Sequence, residues 1–554
     1  MTQPRHMLSL GSGGALVPAA LLFLLALAVR LAASRVMPIE QDEFFHLLVG
    51  QSWMDGRGDK ILDGEYPRGW LYSLAVGLLF DAAGGRDVFL GRLPAILAGA
   101  LMAPLLFVWL DRAADRTAAW AGTLLLCVAE LSIRVSDFAR FYTVQALLVL
   151  AAAILTYQFM SAPERKALWK PVVALALLLL SFLFQITTVI ALGALGLFVF
   201  FDCLHRPWAR AILADRKWRS WLVLAAVACL LAAIAVLRFA GPLLFESVPW
   251  AEQHRYDVAY YHSFFARDYR LLWFLLPAAA VAALARYPRP ATFCLILFLF
   301  PVLVHSFGGM KAPRYIAYAF PFLLALWGLA IAAVVPGLAA AVDRLMAGVG
   351  AILPIRLPQG LRALTVSAIV IVVAVIAAFA NRGVLDPVRH VGRSAVEILR
   401  NPSAVAETPP DRPWEGQIEA LREAVGRPAF LGTADSFRTI YYLGGFDLWL
   451  AEPTPQASDP FAPGLARDRR NGRAVSGDPG IVAAAIRCSE NGVMLIPDYR
   501  WRDPAGVSDP VADVIEARAE RSPNAVPGFQ IFRWAHPVED PNCPRFRRML
   551  QVGR

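Results

Sequence analysis

A polytopic α-helical membrane protein with a C-terminal extracytoplasmic α/β domain is the fold class this sequence predicts. Three features point to it. Of its 554 residues, 58% are hydrophobic and only 17% charged, and the mean hydropathy is +0.52, too apolar for a soluble chain of this length. Apolar runs of spanning length recur between residues 14 and 380 and then cease. Beyond about Gly383 the composition turns to Pro, Asp and Arg, and short apolar runs alternate with helical patterns.

The runs lie near residues 14–33, 93–110, 117–132, 143–160, 171–185, 187–202, 219–238, 271–285, 291–305, 315–335 and 363–380. Each is apolar enough to cross a hydrocarbon layer of about 30 Å, which predicts about eleven transmembrane helices. The first run lacks a small-residue cleavage site and reads as a retained span. A further apolar stretch, 69–83, is short and is expected to lie in the membrane plane or to be re-entrant.

Charge orients these spans. With a cytoplasmic N-terminus, loops 111–116, 163–170, 205–219, 286–289 and 336–362 hold fifteen Lys and Arg in 60 residues, and the opposite loops fourteen in 116. Basic residues concentrate on the cytoplasmic side of membrane proteins. Making 69–83 a span, or fusing 171–202 into one helix, would send the basic 205–219 loop outward, so both alternatives are rejected. The net charge of +10 lies wholly in the first 381 residues, since the remainder holds 22 basic and 22 acidic side chains. That distribution fits loops against anionic lipid and argues against a nucleic-acid partner.

Two domains follow: a transmembrane domain over 1–382, whose outer loop 35–92 carries juxtamembrane helices, and an extracytoplasmic domain over 383–554. In the latter, 428–433, 441–451 and 492–498 read as strands, and 414–425 and 479–488 as helices. Cys488 and Cys543 are its two cysteines. They are a candidate disulfide if this domain meets an oxidising compartment. The other four cysteines fall in or beside apolar runs without ligand spacing.

The chemistry collects on the outer face. MPIEQDEFFH (Met37 to His46) follows the first span with three carboxylates and a histidine. Acids beside a span are costly unless they serve a function or sit at the water boundary; a helix start after Pro38, with acids favoured by the helix dipole, is the structural alternative. Tyr66 and Arg68 come from GEYPRGWLYS, Arg140 and Tyr142 from SDFARFY, and Lys311, Arg314 and Tyr315 from KAPRY. Carboxylates at Asp42 and Glu43 facing these cations suit transfer to an acceptor hydroxyl from a lipid-linked phosphate donor. A carboxylate takes the proton, while Arg68, Arg140, Lys311 and Arg314 hold the phosphate. For each cation, a side chain snorkelling from a helix end remains the alternative. Tyr66, Tyr142, His262 and Tyr315 are candidate substrate contacts. His46, His254 and His262 have imidazoles suited to a divalent metal, but in no recognised ligand spacing, so no cofactor is required and a metal stays an alternative.

The acidic pair after the opening span, the YP segment (Tyr66, Pro67), GRLPA (Gly91 to Ala95), A-R-x-Y (Ala139 to Tyr142) and K-x-P-R-Y (Lys311 to Tyr315) together resemble the type C (GT-C) glycosyltransferases. The likeness is to the branch of protein O-mannosyltransferases and the lipid A aminoarabinose transferase, over roughly residues 10–335. It implies a GT-C-like fold and inverting transfer of a hexosyl or pentosyl group from a polyprenyl-phosphate donor at the outer leaflet. On that likeness Asp42 is the catalytic base and Glu43 its partner in binding or orienting the acceptor, and no metal is needed. Arg68 departs from the branch pattern, in which a basic residue is expected near this position, by following the proline. The acceptor is a glycan, lipid or protein. Five lysines beside abundant Ala and Arg suggest a GC-rich bacterial genome, and the expected location is a bacterial cytoplasmic (inner) membrane with the active site and C-terminal domain on the periplasmic side. A flippase for a lipid-linked sugar is the competing function; it would be expected to show related halves and broken polar helices at mid-membrane, whereas these spans are nearly free of charge.

Overall fold

A computed structural model describes residues 13–161, 167–204, 254–352, ten of the positions 381–400, 413–452 and 464–551, apart from residues 415, 505 and 525. It divides into two compact units. One comprises 1–34, 95–137 and 141–405; the other joins 35–94 and 138–140 to 406–554. The outer loop thus folds with the C-terminal region, and the chain passes between units at residues 34/35, 94/95, 137/138, 140/141 and 405/406.

The first unit is helical. Among the described residues, five helices are long and apolar enough to cross a membrane: α1 (Gly13–Ser34), α4 (Val88–Ala113, whose residues up to Pro94 belong to the second unit), Tyr142–Ser161, Pro288–Phe307 and the stretch Phe320–Gly337. The pair α5 (Arg116–Val128) and α6 (Glu130–Ser136), bent by 55° at the break, meets the same measure of length and apolarity only when the two are taken together, as a broken span or a re-entrant loop. Ala129 is extended there, and a group freed near the bend is met inside the protein, as an apolar surround demands: the Leu131 N–H donates to the Tyr269 hydroxyl at 2.8 Å. The expected runs 171–185 and 187–202 form two separate helices, Trp169–Phe184 and Thr188–Leu204, with Gln185 extended between them. The run 271–285 is divided into Arg270–Phe274 and Leu276–Arg286. Those at 219–238 and 363–380 lie outside the described residues.

The second unit contains α2 (Glu43–Met54), a short hairpin of β1 (Lys60–Ile61) and β2 (Gly64–Glu65), and α3 (Trp70–Ala83). At about 1.5 Å per residue, α3 is about 21 Å long, too short to cross the hydrocarbon. It packs on α2 with backbones nearly touching, because a Cβ on Gly77 would lie 2.6 Å from the Gly50 carbonyl oxygen. Small residues at both positions permit the approach.

A seven-stranded sheet completes this unit. Its described strands are β3 (Phe430–Thr433), β4 (Leu448–Leu450), β5 (Ala466–Arg467), β6 (Ala474–Ser476), β7 (Asn491–Pro497), β8 (Glu520–Arg521) and β9 (Phe529–Ala535), in the order β5-β6-β4-β3-β7-β9-β8. The central four are parallel and the flanking pairings antiparallel. The core between sheet and helices includes Leu448, Met494, Ile496, Val482, Ile515 and Phe532. Residues 441–451, expected as one strand, instead end a helix, Ser436–Leu443, and begin β4 at Leu448. The reason is local: Gly444 takes φ 95°, the left-handed turn that stops a helix. Cys488 and Cys543 form a disulfide with Cα atoms 5.0 Å apart.

Candidate active site

The residues singled out around Met37 to His46 meet in the second unit, built around Glu43. Its side chain is 1% exposed, as is that of Arg92. The two make a bidentate pair: Arg92 Nε donates to Oε2 at 2.7 Å and Nη2 to Oε1 at 2.7 Å. The remaining acceptor positions take the Ala139 N–H at 2.9 Å and the Glu40 N–H at 2.9 Å. Arg92 also donates to the carbonyls of Met37 and Pro38, both at 3.1 Å. A buried charge is tolerable only when so paired. Glu43 and Arg92 therefore fix the 37–42 segment and Ala139 relative to each other.

One other residue of the GRLPA stretch matters, Gly91. A Cβ on Gly91 would lie 2.2 Å from Leu47 Cδ2, and its carbonyl accepts the buried Tyr72 hydroxyl at 2.8 Å. The motif thus seats α2 and α3 and supplies the charge that neutralises Glu43.

Asp42 differs from its neighbour. It occupies the N-cap position of α2 with helical dihedrals, and its carboxylate caps no backbone N–H. That carboxylate is 35% exposed and 3.8 Å from Arg140 Nη1. The same Nη1 donates to the Asp42 carbonyl at 3.0 Å, and the guanidinium lies over the rings of Phe45 and Phe138, 5.8 and 5.9 Å from their centroids. Arg140 is 3% exposed. An accessible carboxylate beside a positioned guanidinium can accept a proton on one side while the cation faces an anion on the other.

His46 lies beneath, fully buried, with Nδ1 2.8 Å from the Ser73 hydroxyl on α3. Burial first, then the charges of Arg140 and Arg68, hold its pKa well below the ordinary value, so it is neutral at pH 7. Tyr66 is buried and stacks on Phe45 at 4.8 Å, while Arg68, just before the left-handed Gly69 that precedes α3, is exposed.

In the first unit the structure gathers a second set. The Lys311 ammonium is buried and donates to three carbonyls, those of His254, Arg255 and Gly308, at 2.9, 2.8 and 2.7 Å. The next residue, Ala312, accepts from the Tyr261 hydroxyl at 3.2 Å. All three ammonium donors are thereby engaged, and the loop carrying Arg314 is pinned. Arg314 is half-buried, its guanidinium over the Tyr315 ring at 5.6 Å; Tyr315 in turn meets Tyr142 at 5.9 Å. His262 is exposed on the helix Tyr260–Asp268, accepting the Trp273 indole N–H at Nδ1, 2.8 Å away.

Residues of the C-terminal region also belong to the site's second unit, and sequence reasoning missed them. Arg438 Nη2 donates to the Ile39 carbonyl at 2.8 Å. Phe44 meets the Tyr441 ring at 5.2 Å and Phe45 meets Phe437 at 4.4 Å, with the Arg470 guanidinium over both Phe45 and Phe437. The apolar pair within an acidic stretch, Phe44 and Phe45, was the available signal, since exposed aromatic pairs seek a partner surface.

Among the described residues, three groups able to hold one metal ion come together at Cys488, Asp540 and Cys543, but those two sulfurs are joined in the disulfide.

No protein-family model and no curated protein sequence matches the chain. Solved structures do. The chain superposes on ArnT from Cupriavidus metallidurans in the apo state with a TM-score of 0.55 at 14% identity, over 95% of this chain and 100% of that one. On the same protein bound to undecaprenyl phosphate the TM-score is 0.53 at 14% identity, over 96% and 100%. At that identity the likeness is one of fold: this chain has the fold of those ArnT structures.

Proposed function

We propose that the protein is an inverting glycosyltransferase that moves a sugar from a polyprenyl-phosphate donor to an acceptor hydroxyl at the outer face of the cytoplasmic membrane of a bacterium. The observation that carries this reading is the contrast at the start of α2: Glu43 saturated and buried, Asp42 accessible, with Arg140 at 3.8 Å.

In the proposed reaction the acceptor O–H gives its proton to the Asp42 carboxylate. Its oxygen forms a bond to the anomeric carbon from the face opposite the phosphate. The bond from that carbon to the phosphate oxygen breaks, and polyprenyl phosphate leaves with the electron pair. Arg140 stabilises the charge that develops on the phosphate, with exposed Arg68 as a second contact, and Arg314 contributes to donor binding. Glu43 acts as the positioning residue rather than as a contact of the acceptor, because its oxygens are already occupied. The cations provide the positive charge, so the reaction is proposed to need no divalent metal; turnover undiminished by EDTA is the expected result.

The outer-face assignment draws on two supports. Nucleotide sugars are cytoplasmic, so an extracytoplasmic transferase needs a lipid-carried donor. The Cys488–Cys543 disulfide suits an oxidising compartment. The fold shared with ArnT, one of whose structures holds undecaprenyl phosphate, favours a donor of that chemistry.

The test uses the purified full chain in lipid nanodiscs with undecaprenyl phosphate carrying single hexoses or pentoses. Release of free undecaprenyl phosphate that needs Asp42 supports the reading. Movement of intact donor between leaflets of proteoliposomes, without release, would replace it with a flippase.

A further inference from the structure

The sheet of the second unit has a topological switch point. From β3 the chain moves to β4 and then β6 on one side, while β7 pairs with β3 on the other. In open parallel sheets the crevice outside the carboxyl ends of the strands at such a point is where ligands bind. Here the ends of β3 and β7 lead into Asp435 and Tyr499, and the Tyr499 hydroxyl donates across the crevice to Asp435 Oδ2 at 2.6 Å. Arg438, in the first turn of the helix after β3, bonds the same Oδ2 through Nη1 at 3.2 Å.

The other arm of that guanidinium does not face a free ligand. Nη2 donates to the Ile39 carbonyl at 2.8 Å, three residues before Asp42, and the guanidinium lies over the Phe44 ring at 5.2 Å. Asp435 and Arg438 are 3% and 11% exposed and Ile39 is buried, so the link from Asp435 through Arg438 to Ile39 is largely shielded from water, while Tyr499 stands half-exposed at the rim. The guanidinium next to the crevice is thus bonded to the chain's own outer segment.

We infer that the C-terminal α/β domain is a working part of the catalytic centre: its switch-point crevice is the docking site for the Ile39 to Asp42 segment, and Arg438 is the positioning residue that sets the Asp42 carboxylate. This rests on Asp42 acting as the base. Arg92 grips the chain at Met37 and Pro38, Arg438 at Ile39, the Glu43 carboxylate at the Glu40 N–H and Arg140 at the Asp42 carbonyl; of these, only the Arg438 anchor comes from the C-terminal domain. Loss of the Arg438 anchor loosens the turn that carries Asp42, while the Glu43–Arg92 pair keeps the helix in place. Catalysis is more sensitive than folding to such a loss, because misplacement of a catalytic group by about 1 Å can cost about 10²-fold.

The experiment compares wild type, Arg438→Ala, Arg438→Lys and Tyr499→Phe as full-length protein in nanodiscs. Hydrogen–deuterium exchange is read on peptides covering 39–46, binding of undecaprenyl phosphate by native mass spectrometry, and transfer kinetics on the donor series above. For Arg438→Ala the expected result is faster exchange at Glu43 and Phe44, a fall in kcat of about 10–100-fold, and unchanged undecaprenyl-phosphate binding and KM for donor. Added guanidinium should restore part of that kcat. Arg438→Lys should retain more activity, and Tyr499→Phe should lose a few-fold, about what one hydrogen bond costs. Exchange and kcat at wild-type levels in Arg438→Ala would overturn the inference. Equal losses in kcat and in donor binding without guanidinium rescue would overturn it as well, marking a merely structural arginine. A fully active Asp42→Asn protein would instead sink the proposed function, and the exchange result then decides whether the crevice still docks the segment.

Discussion

The start of α2 and the KAPRY loop solve one problem in two ways. Each presents two neighbouring charges of one sign: Asp42 with Glu43, and Lys311 with Arg314. In each, one member is buried with every hydrogen-bonding position occupied, and the other is left more accessible. The partners differ. Glu43 is met by the opposite charge of Arg92 at 2.7 Å, so that pair is neutral and Asp42 is the carboxylate left facing Arg140 at 3.8 Å and, in part, solvent. Lys311 is met by three neutral carbonyls, so its charge is not cancelled by its hydrogen-bond partners. Burial lowers its pKa, with the charge of Asp257 opposing that effect. The lesson is that sequence neighbours of like charge need not share an environment; in the proposed reaction the saturated member is the builder and the accessible one the worker.

The largest expected effect breaks the first pair apart. Asp42→Asn should lower turnover by about 10²–10⁴-fold with an unchanged melting temperature. Glu43→Gln should do the reverse in emphasis. Its amide leaves Arg92 buried without a countercharge, which typically costs about 3–5 kcal/mol, visible as a fall in the melting temperature in detergent. If Glu43→Gln were as stable as wild type and as inactive as Asp42→Asn, the division of roles would be wrong.

A somewhat smaller effect is expected in the sheet domain. Cys488→Ser removes the link to the C-terminal helix Cys543–Gln551, and loss of such a crosslink costs about 2–4 kcal/mol. Unchanged thermal stability under reducing agent would contradict this. Lys311→Met then probes the second pair. It leaves three carbonyls short of a donor, at about 1–3 kcal/mol for an unsatisfied buried group. Arg314→Ala should leave stability near wild type and raise KM for the lipid donor. Swapped outcomes for these two variants would reverse the assignment of builder and worker.

How much of this could be read from the chain alone depends on the range of the interaction. Helices such as Gly14–Ser34 and Tyr142–Ser161 match the expected runs closely, because their apolar length is a local property. The break at Ala129 was invisible for the opposite reason: its N–H partner, Tyr269, is 138 residues away from Leu131. Asp42 and Glu43 were legible as acids beside a span, but not their separate roles. Those follow from Arg92, which the GRLPA motif contained yet which had no assigned task. A lone arginine at the edge of an apolar run must find a counter-charge, and that reasoning would have paired it with an outer-loop acid. Arg438 carried no comparable signal, since its partner is a backbone carbonyl 399 residues earlier.

The smallest effect concerns His46, the neutral group beneath the Asp42 and Arg140 pair. Its pKa in the folded protein is depressed, by burial first and then by Arg140 and Arg68, whereas in an unfolded chain it titrates near 6.5. Above pH 6.5 neither state carries the proton, and the full stability is present. As the pH falls below that value the unfolded chain binds a proton that the folded one refuses. Stability then declines, at up to about 1.4 kcal/mol per pH unit, until the folded pKa is reached. The melting temperature should therefore drop between pH 6.5 and 5.5, and His46→Gln, which keeps a polar group toward Ser73, should flatten that slope. An identical slope in the variant would assign the acid sensitivity to another group. A flattened slope would show that the floor under the proposed base tolerates polarity but not a third positive charge.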